Sequence, residues 1–196
     1  MEKTLEYQGR IYTRRNSKWV DADSLVVPVY LQHILNTLAF SEEDLSELSY
    51  EDAKKEGDKY KASESYSLAI RFYEDALKKA GDAPKVSAIL PRITSCYRKE
   101  GKPRKVIELM AEAKASFGVG ILNKALLTSV AAAYCDVGEP ENAIKCCRWA
   151  YRVLKEENDE YSIQLSSVFA RANKMIDPNY STKEALEERE YEIRNH

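Results

Sequence analysis

From Ser49 to Ile176 apolar residues recur every three or four positions, the spacing of helices that bury one face. Breaks in that pattern divide it into helices expected at about 49–62, 64–80, 84–100, 102–116, 121–137 and 140–156. Ser49 with Asp52 three residues on is a capping-box variant. Gly81-Asp82-Ala83-Pro84 is a break, and Pro91 falls inside the fourth segment, where its missing amide predicts a kink or a late start. A closing helix follows Asn158-Asp159, with Ile163, Leu165, Val168, Phe169, Ala172 and Ile176 on its apolar side. Beyond Asp177-Pro178-Asn179, Ser181 to His196 reads as a charged helix that protrudes, frays or docks. The first residues alternate instead: Leu5–Gln8, Ile11–Arg14 and Lys18–Val20 have the period of short strands, with Arg15-Asn16-Ser17 as a turn. Pro28 then opens a helix containing Tyr30, Leu31, Ile34, Leu35 and Leu38. A small β-hairpin and a capping helix are expected there.

The helices repeat. Tyr97, Gly101, Pro103, Val106 and Ile107 align with Tyr134, Gly138, Pro140, Ala143 and Ile144 at an offset of 37 residues, and the same step back from Tyr97 reaches Tyr60. Ala76, Ala113 and Ala150 keep the same period. Gly101 and Gly138 suit a left-handed helix end, and Pro103 and Pro140 the first position of the next helix, which has no use for an amide donor. Each unit is therefore a helix bearing the tyrosine, a tight turn, and a second helix with small residues where the two approach. Tyr60, Tyr97 and Tyr134 are expected in the repeat core.

Gly57, Tyr60, Ala69, Tyr73 and Ala76 give the first unit the form of a tetratricopeptide repeat, which the chain resembles over about residues 50–156. The second unit has Thr94, Val106 and Met110 at the Gly, Ala and aromatic positions, and the third has Ala131 and Cys147 at the Gly and aromatic positions. The period is three residues longer than the family's 34. The resemblance implies an all-α, right-handed α-solenoid of three helix pairs. Expected segments are 1–48 (β-hairpin and capping helix), 49–176 (units 49–83, 84–119 and 120–157, capping helix 159–176) and 177–196 (charged helix or tail). It also implies that the chain binds a protein or peptide in a concave groove.

Charge locates that groove. The chain has 30 basic and 32 acidic residues, a net charge of −2, so no global field favours nucleic acid or anionic membrane. Met1 to Arg10 has no apolar core, so neither a secretory signal nor an anchor is expected, and no window suits a membrane span. Helical register puts Lys54, Lys55, Asp58 and Lys61, then Arg92, Ser95, Arg98 and Lys99, then Ser129, Ala132, Cys135 and Asp136 on the inner face. Six cations against Asp58 and Asp136 predict a basic groove for an acidic or carboxylate-bearing segment. The family's chaperone-binding carboxylate clamp is not reproduced: Lys54 fits it, but Asp58, Ala125 and Ser129 occupy other clamp positions.

Catalysis finds no support. His33 and His196 are the two histidines, and neither lies in a nucleophile–base pattern. Glu42-Glu43-Asp44 reads as the acidic start of a helix rather than a cation site. Cys96, Cys135, Cys146 and Cys147 lack zinc spacing and are expected as reduced thiols in the cytoplasm, and Gly118-Val119-Gly120 as a helix break. No cofactor or metal is expected. The lesser alternative is nucleic-acid binding by the first segment, where Arg10, Arg14, Arg15 and Lys18 interleave with Tyr12 and Trp19.

Overall fold

The computed structural model describes residues 3–16, 18–40, 45, 47–153 and 160–195. The expectations for Glu42-Glu43-Asp44, Asn158-Asp159, His196 and the His33 side chain lie outside what it describes. The described residues form nine α-helices and one small antiparallel sheet. They divide into two compact units, Met1–Gly81 and Asp82–His196.

In the first unit, β1 (Thr4–Tyr7), β2 (Arg10–Arg15) and β3 (Lys18–Val20) form a meander in that order, so all three alternating segments are strands of one sheet. Gln8 and Gly9 both have positive φ, the two-residue turn whose twist matches flanking strands. Pairing Arg14 with Trp19 aims both inward with Tyr12. Helix α1 (Val29–Ala39) packs on β1, β3 and α3 (Tyr66–Lys79), and α3 pairs closely with α2 (Tyr50–Ala62). Phe40, Tyr60 and Phe72 meet at the centre, with Tyr60 stacked on Phe72 at 5.0 Å and Phe40 edge-on to both.

The α2–α3 pair is fixed by size. Gly57 leaves its backbone open to the buried ring of Tyr73, and a Cβ there would lie 2.5 Å from the ring. The Tyr73 hydroxyl donates to Asp58 Oδ1 at 2.6 Å, which prevents the ring from swinging away. One period on, Thr94 stands with Met110, and in the next Ala131 with Cys147; all four are buried.

The second unit contains α4 (Ala83–Lys99), α5 (Pro103–Phe117), a 3-10 turn (Gly118–Ile121), α6 (Lys124–Asp136), α7 (Pro140–Val153), α8 (Glu160–Ile176) and α9 (Thr182–Asn195). Successive helices pair, and α6 also packs on α4, α8 on α6, and α9 on α7. Leu165, Phe169 and Ala172 of α8 are buried, whereas Ile163 and Ile176 are exposed, contrary to the expected apolar side. The charged C-terminal segment docks: Arg148 of α7 pairs with Glu188 of α9. Tyr97 and Tyr134 are half-buried rather than central, and Tyr60 alone of the three is fully buried.

The 37-residue period survives in the backbone. The amides of Ser65, Lys102 and Glu139 donate to the carbonyls of Tyr60, Tyr97 and Tyr134, each at 2.9 Å. The residue before each donor is left-handed: Glu64 at φ 60°, Gly101 at 69° and Gly138 at 80°. Each turn is a Schellman-type helix end. Glu64, expected to open the third helix of the chain, is instead this turn residue, and that helix begins at Tyr66.

Helix starts do not repeat as strictly. Ser49, Asp82 and Asn123 each accept from the amide three residues on, but Asp82 comes about one turn early for the period. The extra turn carries α4 unbroken through Pro91, so the helix does not start late. Pro91 cannot donate to the Ser87 carbonyl, and Asn123 Nδ2 donates to it instead at 2.9 Å, while Asn123 Oδ1 caps α6.

Two stability predictions follow from these contacts. Gly57→Ala overpacks the helix pair and costs about 1–3 kcal/mol in urea unfolding, and adding Tyr73→Met restores part of that loss. Additive losses in the double variant would contradict the size match. Glu64→Gly relieves a left-handed side chain and raises stability by about 1 kcal/mol, whereas Gly138→Ala lowers it by about as much.

Candidate functional site

The basic positions expected on the inner face fall in both units. In the first, Lys54 pairs with Glu51 at 3.3 Å, Lys55 is exposed and Lys61 half-buried. Asp58 is held by the Tyr73 hydroxyl. In the second unit, Arg92 is half-buried and donates from Nη1 to the Ala88 carbonyl at 2.6 Å, folding back on its own helix. Ser95 is half-buried and Lys99 exposed. Ser129, Ala132 and Cys135 are buried, because α6 is covered by its neighbours, so they line no groove.

Arg98 and Asp136 do come together. Asp136, at the end of α6, accepts from Arg98 Nε of α4 at 3.0 Å and from Arg171 Nη1 of α8 at 2.7 Å. One carboxylate thus joins two guanidiniums from the helices on either side. Arg98 has about a third of its side chain exposed and Arg171 about half. The cluster keeps a net positive charge, and each guanidinium has further N–H groups with which to grip a second carboxylate. Sequence reading missed Arg171 because α8 was taken as a cap. Its spacing of 35 residues from Asp136 is close to the repeat period and was the available signal.

The aromatic–basic set of the first segment is not a surface patch. Trp19 is fully buried, its indole N–H donating to Asn36 Oδ1 at 2.8 Å, and Tyr12 is buried beside it in the core. Arg14 is 3% exposed and its guanidinium lies 4.2 Å from the Tyr60 ring and 5.3 Å from that of Phe40. Burial lowers its pKa, and the nearby Glu56 carboxylate partly offsets this. Neither its Nε nor its Nη2 finds an acceptor among the described residues. Alternation explains the error: inward positions on β2 and β3 took Tyr12, Arg14 and Trp19, leaving Arg10, Arg15 and Lys18 exposed on the outside.

Among the described residues no three His, Cys, Asp or Glu side chains group closely enough to hold a metal ion. No helix there is long and apolar enough to cross a membrane. None of the four cysteines is in a disulfide; Cys96, Cys135 and Cys147 are buried. Burial pushes the Cys146 thiol up to about 11, with Lys114 partly opposing. No family model, curated protein or solved structure matches the chain.

A raised thiol pKa keeps Cys146 protonated below about 11. Native protein should therefore be alkylated by iodoacetamide at pH 8 on the order of 100-fold more slowly than an ordinary exposed thiol. The rate should rise about tenfold per pH unit on raising the pH. Rapid labelling of Cys146 at pH 8, located by peptide mass mapping, would contradict the burial.

Proposed function

We propose that the chain is a tetratricopeptide-type helical repeat protein, a right-handed α-solenoid, that holds a carboxylate-bearing segment of a partner protein and catalyses no reaction. The observation that carries this reading is the Arg98–Asp136–Arg171 cluster, which draws on α4, α6 and α8 in turn. Repeated turns at Tyr60, Tyr97 and Tyr134 support the repeat assignment. A helix array of this kind offers the same kind of side chain at regular intervals, which suits an extended chain better than a small substrate.

Asp136 acts as an internal stand-in for the partner: it holds the two guanidiniums in place and is displaced or joined by an incoming carboxylate. Arg92 and Lys99 on α4 extend the positive charge and speed the encounter. In the first unit, Lys54, Lys55 and Lys61 are the corresponding cations. Four thiols outside any disulfide fit a reducing cytoplasm.

Fluorescence anisotropy with a labelled oligoglutamate peptide tests the reading, using an oligoglutamine peptide as control. Asp136→Asn releases both guanidiniums and should tighten binding several-fold, while Arg98→Glu with Arg171→Glu should weaken it by at least about tenfold. Equal binding by all three proteins, or of both peptides, would sink the proposal.

A further inference from the structure

In the second unit each inner helix lies against the pair before it: α6 against α4 and α5, and α8 against α6 and α7. The corresponding groove between α8 and α9 holds no helix among the described residues. It encloses about 620 Å³ and has apolar walls from Ile163, Ala170, Met175 and Leu186. Ile163 is 69% exposed, Met175 43% and Leu186 42%, an apolar strip that water covers poorly. Among the described residues the charged groups lining it are all cationic, with Lys174 and Arg189 joining Arg171. The Arg189 Nε is buried there without an acceptor among the described residues.

The complement of this groove is on the same molecule. Helix α9 carries five glutamates, Glu184, Glu187, Glu188, Glu190 and Glu192, against Lys183, Arg189 and Arg194. Glu188 is occupied by Arg148, but Glu187 and Glu190 have about two-thirds of their side chains exposed. Their contacts within α9, Lys183–Glu187 at 3.6 Å and Arg194–Glu190 at 3.3 Å, join solvated groups and resist exchange only weakly. Tyr191, also on α9, is 63% exposed.

We propose that the α8/α9 groove is the docking surface for a second copy of this chain, with the acidic helix α9 of each copy lying in the cationic apolar groove of the other. Because α9 is both a groove wall and the inserted helix, one two-fold axis satisfies both contacts at once. Four helices, two from each copy, close the apolar strip. Glu187 and Glu190 of one copy then face Lys174 and Arg189 of its partner. This inference does not rest on the carboxylate-binding reading, and its test leaves Arg98 and Asp136 unchanged.

Sedimentation equilibrium of the full chain should show a reversible dimer that weakens with salt. Lys174→Glu with Arg189→Glu makes the groove acidic, and Glu187→Lys with Glu190→Lys makes α9 basic. Each doubly substituted chain alone should be monomeric, with circular dichroism confirming that its helices remain. Lys174→Glu alone, at an exposed position, should weaken the dimer without touching the half-buried Arg189. Mixed in equal amounts, the two doubly substituted chains should form a heterodimer, since each groove then meets an opposite charge. The proposal is overturned by a monomeric wild-type chain at about 100 µM, by dimers that survive both reversals, or by failure of the mixture to associate. Monomers throughout would assign the groove to a helix from a different protein.

Discussion

The two helices of each repeat can approach only as closely as their facing side chains allow, and that spacing sets everything built on it. In the first pair the contact is the Tyr73 ring against the bare backbone of Gly57. When the small position grows to Thr94 the large one becomes Met110, and Ala131 stands with Cys147. In the second pair bulk is exchanged between the two equivalent positions, whereas in the third both are small, and all of them stay buried. Native interiors tolerate such exchanges when total volume is roughly conserved. The first pair sets glycine against a large ring and the later pairs do not, although the helices still pair.

The turns were legible in the sequence because left-handed backbone is a demand that few residues meet. Gly101 and Gly138 announced it directly. Glu64 meets the same demand without glycine, so composition concealed a turn that the period alone would have placed. Helix starts were harder to read, since Ser, Asp and Asn caps work wherever the chain turns inward. Asp82 could therefore move its helix back by about one turn without disturbing the turn at Gly101. The third strand was visible as alternation at Lys18–Val20, but which face of the sheet would be covered depended on α1 and α2, which strand periodicity cannot supply.

Charge was the least legible property, because many cations serve the fold. Lys3 and Arg71 donate to the carbonyls of Ala39 and Phe40, at the end of a helix with no basic residue in its last turn. Lys79 donates to the Leu45 carbonyl, and Arg14 lies against aromatic rings. A count of Lys and Arg along a helix face treats all of these as available for a partner. Only coordinates separate the side chains that tie off backbone groups from those, such as Arg98 and Arg171, that meet another charge at the surface.

Asn123 links two defects with one side chain: its amide nitrogen answers the carbonyl that Pro91 leaves unpaired, and its oxygen closes the start of α6. This makes α4 and α6 a keyed pair. A helix without proline is nearly uniform along its length, and its neighbour can slip by one turn with little change in backbone bonding. Here the missing amide marks one position on α4, and sliding in either direction would cost the bonds from Asn123 to Ser87 while leaving the cap of α6 intact. A pull directed along the helix axes would therefore have to break the Asn123–Ser87 contact at one defined displacement, in addition to dragging the buried apolar side chains past one another.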